Sequence, residues 1–196
     1  MSIAGIILAA GASSRMGRPK PLLSVGTETF VDRLIRSMSS ACSPVIVVLG
    51  YSAEEIRSGM KRAGEAEIVM NERCSEGQLS SLQRGIAAIP ETAEAVMFTP
   101  VDHPHLRTST FTALAERFKE TDAPAIVATH GERRGHPVLV SRAAAGRIAA
   151  LPPDSRASDV VHGPDTLYVD VDDPGVVEDI DDPETYRRLL EAGTLR

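Results

Sequence analysis

The sequence predicts an α/β protein with a three-layer α/β/α arrangement and a mostly parallel, mixed central sheet. Three observations carry this prediction. Short apolar runs alternate along the chain with segments of helical periodicity. The runs are apolar at consecutive positions, which is typical of strands buried on both faces. The chain has 196 residues, of which 42% are hydrophobic, enough for one sizeable core. We therefore treat residues 1–196 as a single domain.

The elements of the N-terminal half follow from two kinds of pattern. Runs rich in Ile, Val and Leu predict strands, because branched side chains fit a pleated and buried surface. Segments whose apolar residues recur every three or four positions predict helices. In chain order, the expected elements are a strand at 3–9, a helix marked by Phe30, Val31, Leu34, Ile35 and Met38, a strand at 45–49, a polar-faced helix at 53–63, a strand at 66–70 and a helix marked by Leu79, Leu82, Ile86 and Ile89.

The C-terminal half continues this alternation. Its expected elements are a strand at 95–101, a helix at 109–119, strands at 125–128 and 137–140, an Ala-rich helix at 142–151, a strand at 167–171 and a helix at 183–190 that has Pro in its first turn. The polar stretch 152–164 is the best candidate for a mobile excursion. In parallel sheets, ligands bind beyond the carboxyl ends of strands, so the loops after residues 9, 70 and 101 are the expected site.

Composition excludes several classes of partner. The formal net charge is −6, aromatic residues make up 4% of the chain and Trp is absent. Nucleic acid is therefore not an expected partner, because neither a basic field nor stacking platforms are available. No stretch is long and apolar enough to span a membrane. Cys42 and Cys74 do not form a disulfide scaffold, so a cytoplasmic setting is expected.

Charge is unevenly distributed along the chain. Residues 1–27 contain no Asp or Glu but carry Arg15, Arg18 and Lys20, whereas residues 157–186 contain ten acids and no Lys or Arg. This pattern indicates a phosphate site in the N-terminal loop and a cation site near the C-terminus. An uneven scatter of solubilising charges explains the acidic stretch about equally well.

The loop after the first strand carries the most specific chemistry. Small residues at 9–12 let the backbone approach a bulky ligand, and its N–H groups can surround phosphate oxygens. Arg15 supplies a bidentate fork for phosphate, and Lys20 supplies a mobile point charge. The loop has neither a Gly-Lys-Ser/Thr phosphate motif in register nor a Gly-x-Gly-x-x-Gly turn, which disfavours a nicotinamide-dependent dehydrogenase.

This loop resembles the signature of the MobA-like NTP transferases, which include the molybdenum cofactor cytidylyl- and guanylyltransferases. The resemblance extends over most of the chain, through strings at 76–82, 100–104, 135–138 and 179–184. The Gly-His-Pro-Val string at 135–138 is most similar to the cytidylyltransferase branch. The resemblance implies a Rossmann-like nucleotidyltransferase fold and Mg²⁺-dependent transfer of a nucleoside monophosphate from an NTP to a phosphorylated acceptor.

The resemblance also assigns site residues. It implies that Lys20, Arg15 and Asp102 are catalytic, that Gly11, Arg15 and Lys20 hold the triphosphate, and that Asp102 holds Mg²⁺. The wider binding set that it implies for the nucleotide and the acceptor is Leu8, Ala9, Ala10, Gly11, Arg15, Lys20, Gly77, Ser80, Ser81, Gly135 and His136. Helix capping explains Ser80 equally well, and a plain turn or surface role is the alternative for Gly77 and His136.

Carboxylates at two places can form the metal site. Asp102 ends an apolar strand at the ligand edge of the sheet, and Mg²⁺ prefers one or two protein carboxylates together with phosphate and water. In the family, an acid or amide before the last helix completes the metal shell. Asp179 and Asp181 are both candidates, because alternation on an extended segment places them on one face. We favour Asp181 and expect Asp182 to cap the helix, although a solvated capping cluster is the alternative for the whole group.

The identity of the two substrates is implied by the family resemblance and by one position of the N-terminal loop. The branch resemblance implies molybdopterin as acceptor, and the string Leu-Ala-Ala-Gly, with Ala10, goes with CTP where Leu-Ala-Gly-Gly goes with GTP. A guanylyltransferase and a sugar-phosphate or phospholactate-type acceptor remain open. A non-catalytic carrier that delivers the cofactor to a molybdoenzyme client is an alternative of another class. Such a carrier would not need the full set of Arg15, Lys20 and Asp102.

Overall fold

A seven-stranded sheet forms the centre of the protein in the computed structural model, which describes residues 2–191. The strands are β1 (Ile3–Ala9), β4 (Val45–Leu49), β5 (Glu67–Met70), β6 (Ala95–Pro100), β7 (Ala125–His130), β8 (Arg133–Ser141) and β9 (Leu167–Asp170), with a separate ribbon of β2 (Ser24–Val25) and β3 (Glu28–Thr29). Their order in the sheet is β5-β4-β1-β6-β8-β7-β9. Only the pairs made by β8 within this sheet are antiparallel, so the predicted mostly parallel, mixed sheet is confirmed.

Helices cover both faces of the sheet. They are α1 (Phe30–Met38), α2 (Ala53–Gly59), α3 (Gln78–Ile86), α4 (Thr108–Lys119), α5 (Arg142–Ala149), α6 (Ser158–Val161) and α7 (Pro183–Glu191). One buried cluster contains residues of α1, α2, α4 and α7, and the other contains residues of α3, α5 and α6. In β1, Ile7 belongs to the first cluster and Ile6 to the second, because successive side chains point to opposite faces. The three-layer α/β/α prediction is therefore confirmed.

The sheet topology determines where polar residues gather. β1, β4, β5 and β6 run parallel, so their carboxyl ends meet at one edge of the sheet. The loops that leave these strands begin at residues 10, 50, 71 and 101. Residues far apart in sequence are thereby brought to one edge.

Helix α2 is shorter than the sequence pattern predicted. The helix expected at 53–63 ends at Gly59, and Met60 adopts an extended conformation. The cause is the buried carboxylate of Asp32 in α1, which accepts hydrogen bonds from the backbone N–H groups of Lys61 (3.0 Å) and Arg62 (2.8 Å). A continued helix would have used these N–H groups internally. The predicted end of this helix is therefore wrong.

The stretch 152–164 contains a short element of its own. Helix α6 makes one turn there, and the side chain of Val161 is buried against the core beneath α5. β8 also begins earlier than predicted, at Arg133 instead of 137. Among residues 2–191, no helix is long and apolar enough to cross a membrane.

Candidate active site

The loop after β1 is fastened by one serine. The backbone of Ser13 has φ of 52°, an uncommon conformation for a residue other than glycine. Its hydroxyl accepts a hydrogen bond from the N–H of Lys20 (2.9 Å), and its carbonyl accepts one from the N–H of Met16 (2.9 Å). The loop therefore folds back on itself, and Lys20 starts a short 3₁₀ turn that points its side chain toward the ends of the strands.

Two cations and two carboxylates meet beyond β1 and β6. The Lys20 ammonium donates to Asp181 Oδ1 (2.7 Å) and to Asp102 Oδ2 (3.3 Å). Arg15, whose side chain is 65% exposed, donates to Asp181 Oδ2 (2.7 Å). The hydrogen bond from Lys20, and then that from Arg15, holds the pKa of Asp181 below its ordinary value against the opposing effect of burial. The structure thus brings together the three residues predicted as catalytic, of which Asp102 is also a predicted metal ligand, and the second predicted metal ligand Asp181.

A backbone contact decides which acid reaches this cluster. The N–H of Ile180 donates to the carbonyl oxygen of Asp102 (2.9 Å), and the Ile180 side chain is fully buried. This anchor turns Asp181 to Lys20 and leaves Asp179 exposed, with no hydrogen bond or ion pair inside residues 2–191. Asp182 accepts from the N–H of Thr185 (2.8 Å) at the start of α7, so the expected cap of this helix is confirmed.

The donor set fits a hard divalent cation. Asp102 Oδ1 is buried without a hydrogen-bond partner in the described part of the chain, and both of the carboxylates that contact Lys20 offer oxygen donors. No cluster of three or more His, Cys, Asp or Glu side chains suited to a metal occurs between residues 2 and 191. Mg²⁺ commonly uses one or two protein carboxylates and takes its other ligands from phosphate and water. Asp102 and Asp181 match that requirement.

A cavity of about 300 Å³ extends from this cluster along the ends of the strands. We call it the nucleotide cavity, after the ligand that the family resemblance predicts for its lining residues. Its lining includes Leu8, Ala9, Ala10, Gly11, Ala12, Ser13, Lys20, Tyr51, Cys74, Ser75, Gly77, Ser81 and Asp102. A Cβ atom on Gly11 would meet nothing within 4 Å, so the space beside it is open to a ligand. Gly77 has φ of 104°, which other residues rarely adopt.

The first turn of α3 is held by a residue that sequence reasoning missed. The buried Asn71 amide donates to the hydroxyls of Ser80 and Ser81 (both 3.0 Å), and its carbonyl oxygen accepts from the N–H of Arg73 (3.0 Å). Ser81 lines the nucleotide cavity, whereas Ser80 lines neither cavity of the site and lies within hydrogen-bonding distance of the Gly77 carbonyl. A contact of Ser80 with the nucleotide stays a prediction. The only signal for Asn71 was its position directly after a strand.

A second cavity of about 530 Å³ adjoins the first. We call it the acceptor cavity, because it is lined by Gly135 and His136, for which the family resemblance predicts a contact with the acceptor. The two cavities share Leu8, Gly77 and Gln78 in their linings. The floor of the acceptor cavity is apolar and consists of Leu79, Leu82, Phe98, Val127, Val138 and Val161. A ligand in one cavity can therefore touch a ligand in the other.

Gly135 and His136 both line the acceptor cavity. The absence of a side chain at Gly135 is also structural, because a Cβ atom there would lie 1.8 Å from the Val176 carbonyl oxygen. The His136 ring lies 5.1 Å from that of His103, and its Nδ1 is buried without a partner in the described residues. Burial, followed by the nearby His103, lowers the pKa of His136 to about 3. His136 is thus a neutral group at physiological pH.

His103 connects this region to the carboxylates. Its Nδ1 lies 2.9 Å from the Gly175 carbonyl oxygen, and its Nε2 lies 3.9 Å from Asp102 Oδ1. The neighbouring His105 is also buried, with Nε2 at 3.3 Å from Glu178 Oε2. Burial is the main cause that lowers the pKa of His105, and Glu178 opposes it. These histidines support the loop that carries Asp102, a role with no marker in the sequence.

Comparison with known proteins identifies a family whose model includes the N-terminal loop. The family model of the MobA-like NTP transferase domain matches residues 5–168. The molybdenum cofactor cytidylyltransferase of Escherichia coli is 28% identical over 96% of each chain. A nicotine blue oxidoreductase of Paenarthrobacter nicotinovorans is 29% identical, also over 96% of each.

One of the similar solved structures was determined in complex with a metal ion. The Rv0371c protein of Mycobacterium tuberculosis, in a complex with manganese, is 28% identical over 98% of this chain and 100% of its own, with a TM-score of 0.79. The loop, the fold and the family model agree, and the resemblance found in the sequence is confirmed. The chain belongs to the MobA-like NTP transferase family.

Proposed function

We propose that the protein transfers CMP from CTP to a phosphorylated acceptor, molybdopterin, and releases pyrophosphate. The observation that carries the proposal is the cluster in which Lys20 contacts Asp102 and Asp181 beside Arg15. Lys20 and Asp102 of this cluster line the nucleotide cavity, which adjoins a larger cavity suited to a second substrate. Family membership and the cytidylyltransferase of E. coli support the same activity.

The proposed reaction is a direct in-line transfer. An oxygen of the acceptor phosphate forms a bond to the α-phosphorus of CTP, and the bond from that phosphorus to the α,β-bridging oxygen breaks, so pyrophosphate leaves with the electron pair. The attacking phosphate is already anionic, so no strong general base is needed. Catalysis then comes from positioning the two substrates and from stabilising charge.

Each residue of the cluster has a separate task in this scheme. Lys20 stabilises the α-phosphate, because its ammonium is held near the junction of strands β1 and β6 by two carboxylates. Arg15 is mostly exposed and can turn from Asp181 to the departing pyrophosphate. Asp102 and Asp181 would hold Mg²⁺. When bound, this ion neutralises charge on the phosphate oxygens.

One observation favours CTP as the nucleotide, and another favours molybdopterin as the acceptor. Ala10 lines the nucleotide cavity and favours CTP over GTP through the Leu-Ala-Ala-Gly string. The acceptor cavity has room for a molecule larger than phospholactate, which favours molybdopterin. A carrier without turnover, serving a molybdoenzyme client, is a second candidate. The oxidoreductase relative motivates a third, although the chain lacks a Gly-x-Gly-x-x-Gly turn.

Pyrophosphate release tests the proposal. The purified protein is incubated with Mg²⁺, molybdenum-loaded molybdopterin and each of the four NTPs in turn. We expect release with CTP alone and a loss of about 100-fold or more in kcat for Lys20→Ala and for Asp102→Ala, since each removes a charge that stabilises the transition state. Lys119→Ala is the matched control, because Lys119 lies exposed on α4.

Other outcomes of this experiment distinguish between the alternative functions. Release with GTP would assign the guanylyl reaction instead. Binding of CTP without release would favour the carrier or another acceptor. Bleaching of nicotine blue by the wild-type protein with NADH or NADPH, without pyrophosphate release from any NTP, would overturn the transferase proposal.

A further inference from the structure

Two guanidinium groups border the acceptor cavity without a carboxylate partner. Arg134 and Arg156 are exposed and line the cavity, and neither side chain makes an ion pair within residues 2–191. The Arg134 guanidinium carbon lies 4.4 Å from the centre of the Tyr168 ring, a cation–π contact. Both guanidinium groups are therefore available to an anionic ligand; the acids nearby are Glu76, which lines the cavity, and Asp159, which accepts a hydrogen bond from the backbone N–H of Arg156 (3.0 Å).

Tyr168 orders this rim. His162 also lines the cavity, its Nδ1 lies 3.2 Å from the Tyr168 hydroxyl, and the two rings are inclined by only 12°. One aromatic ring thus fixes both a guanidinium and an imidazole. We call Arg134, Arg156 and His162 the distal rim.

The distal rim is separate from the triphosphate site. None of its three residues lines the nucleotide cavity, where Lys20 and Asp102 lie. Between the two charged regions is the apolar floor that includes Leu82, Phe98 and Val138. The two guanidinium groups lie outside the nucleotide cavity, and an apolar floor with a charged end suits an elongated, amphiphilic ligand.

We propose that the distal rim binds a second anionic group of the acceptor, at the end remote from the phosphate that attacks CTP. The substrate class is then a phosphomonoester with an extended apolar body and a second anionic group at its far end. A three-carbon acceptor such as phospholactate does not fill a 530 Å³ cavity or reach both ends of it. This inference rests on the proposed function for the identity of the reaction, but the rim can be tested without turnover.

Fluorescence titration with two probes makes that test. The anionic probe 8-anilinonaphthalene-1-sulfonate has a flat apolar body and a sulfonate, and N-phenyl-1-naphthylamine is its neutral counterpart. In the variants Arg134→Gln and Arg156→Gln the side chain stays polar, keeps most of its aliphatic stem and loses the charge. We expect each variant to weaken binding of the sulfonate about fivefold, in the range of an exposed ion pair, and to leave binding of the neutral probe unchanged.

Controls and kinetics separate the possible failures. Arg147→Gln, on the exposed side of α5 and outside both cavities, should change neither titration. With molybdenum-loaded molybdopterin, the rim variants should raise the KM for the acceptor about fivefold and leave the KM for CTP unaltered. The proposed role of the distal rim would be overturned if a variant that carries both Arg134→Gln and Arg156→Gln bound the sulfonate as tightly as the wild type, or if it lost affinity equally for both probes. Lack of pyrophosphate release with an intact difference between the probes would overturn only the proposed function.

Discussion

Both the backbone and the side chain of Lys20 are held by hydrogen bonds, so its ammonium group has a defined position although the residue lies in a loop. Its main-chain N–H is bound by Ser13, and its ammonium contacts Asp102 and Asp181. The side chain is only 15% exposed, so its position depends on these contacts more than on solvent. A mobile cation would lose side-chain entropy when substrate binds, whereas this one is already ordered.

The two cysteines differ in their surroundings and report on the nucleotide cavity. Cys74 is half-buried and lines this cavity, whereas Cys42 is buried, and its burial raises the thiol pKa to about 12. The thiolate is the reactive form, so iodoacetamide at neutral pH should alkylate Cys74 and spare Cys42. Saturating CTP with Mg²⁺ should slow the reaction at Cys74 at least several-fold, as followed by peptide mass spectrometry. An unchanged rate with CTP would mean that the nucleotide binds elsewhere.

The buried side chain of Asp32 in α1 connects this helix to the segment that follows α2. The Asp32 carboxylate accepts hydrogen bonds from the Thr29 hydroxyl (2.6 Å) and from the N–H groups of Lys61 and Arg62. Thr29 in turn accepts from the N–H of Asp32 and caps α1. One side chain thus supports the start of α1 and determines the end of α2.

Removal of this carboxylate should destabilise the fold. For Asp32→Ala we expect the free energy of unfolding to fall by about 3 kcal/mol, because the buried Thr29 hydroxyl and the part-buried N–H groups of Lys61 and Arg62 lose a charged acceptor. Urea denaturation measures the change. Asp32→Asn keeps one carbonyl acceptor and should lose less, and Asp122→Ala, at an exposed site, should stay within about 0.5 kcal/mol of the wild type. A loss that small for Asp32→Ala would contradict the assigned role.

The sheet and its two helix layers act as one unit that responds to acid through buried imidazoles. His136 and His105 both lose basicity on folding, chiefly because burial disfavours the charged ring. His136 lies on β8, the fifth of the seven strands in the sheet order, which pairs antiparallel with both of its neighbours β6 and β7. Protonation there requires the surrounding structure to open.

The stability of the whole molecule should therefore fall in mild acid. Below its ordinary pKa of 6.5, His136 takes up a proton in the unfolded chain, while in the folded chain it stays neutral until about pH 3. The free energy of unfolding is therefore not reduced by His136 above pH 6.5. It decreases as the pH falls from 6.5 toward 3, by up to about 1.4 kcal/mol per pH unit. Urea unfolding between pH 7.5 and 4.5 should show this slope, and His136→Phe should reduce it. The exposed His162, changed to Phe, should leave it intact; equal slopes for all three proteins would refute the assignment to His136.

Local patterns in the sequence determined the order and type of nearly all elements. Periodicity reports which faces of a segment are buried, so β1, β4 and the helices of both layers could be predicted from it. The contiguous loop with Arg15 and Lys20, and the Asp102 string, also indicated the family and the chemistry before any contact was known. Such features lie within a few residues of one another and need no tertiary information.

Only the tertiary structure decided the features that join distant segments. The approach of Asp181, and not of Asp179, to Lys20 spans 161 positions of the chain, and the end of α2 depends on Asp32, whose carboxylate binds an N–H group 30 positions away. The link from Asn71 to Ser81 and the meeting of Arg134 with Tyr168 arise in the same way. The physical reason is that a buried polar group takes whatever partner the folded chain brings to it, and a local pattern contains no record of that partner.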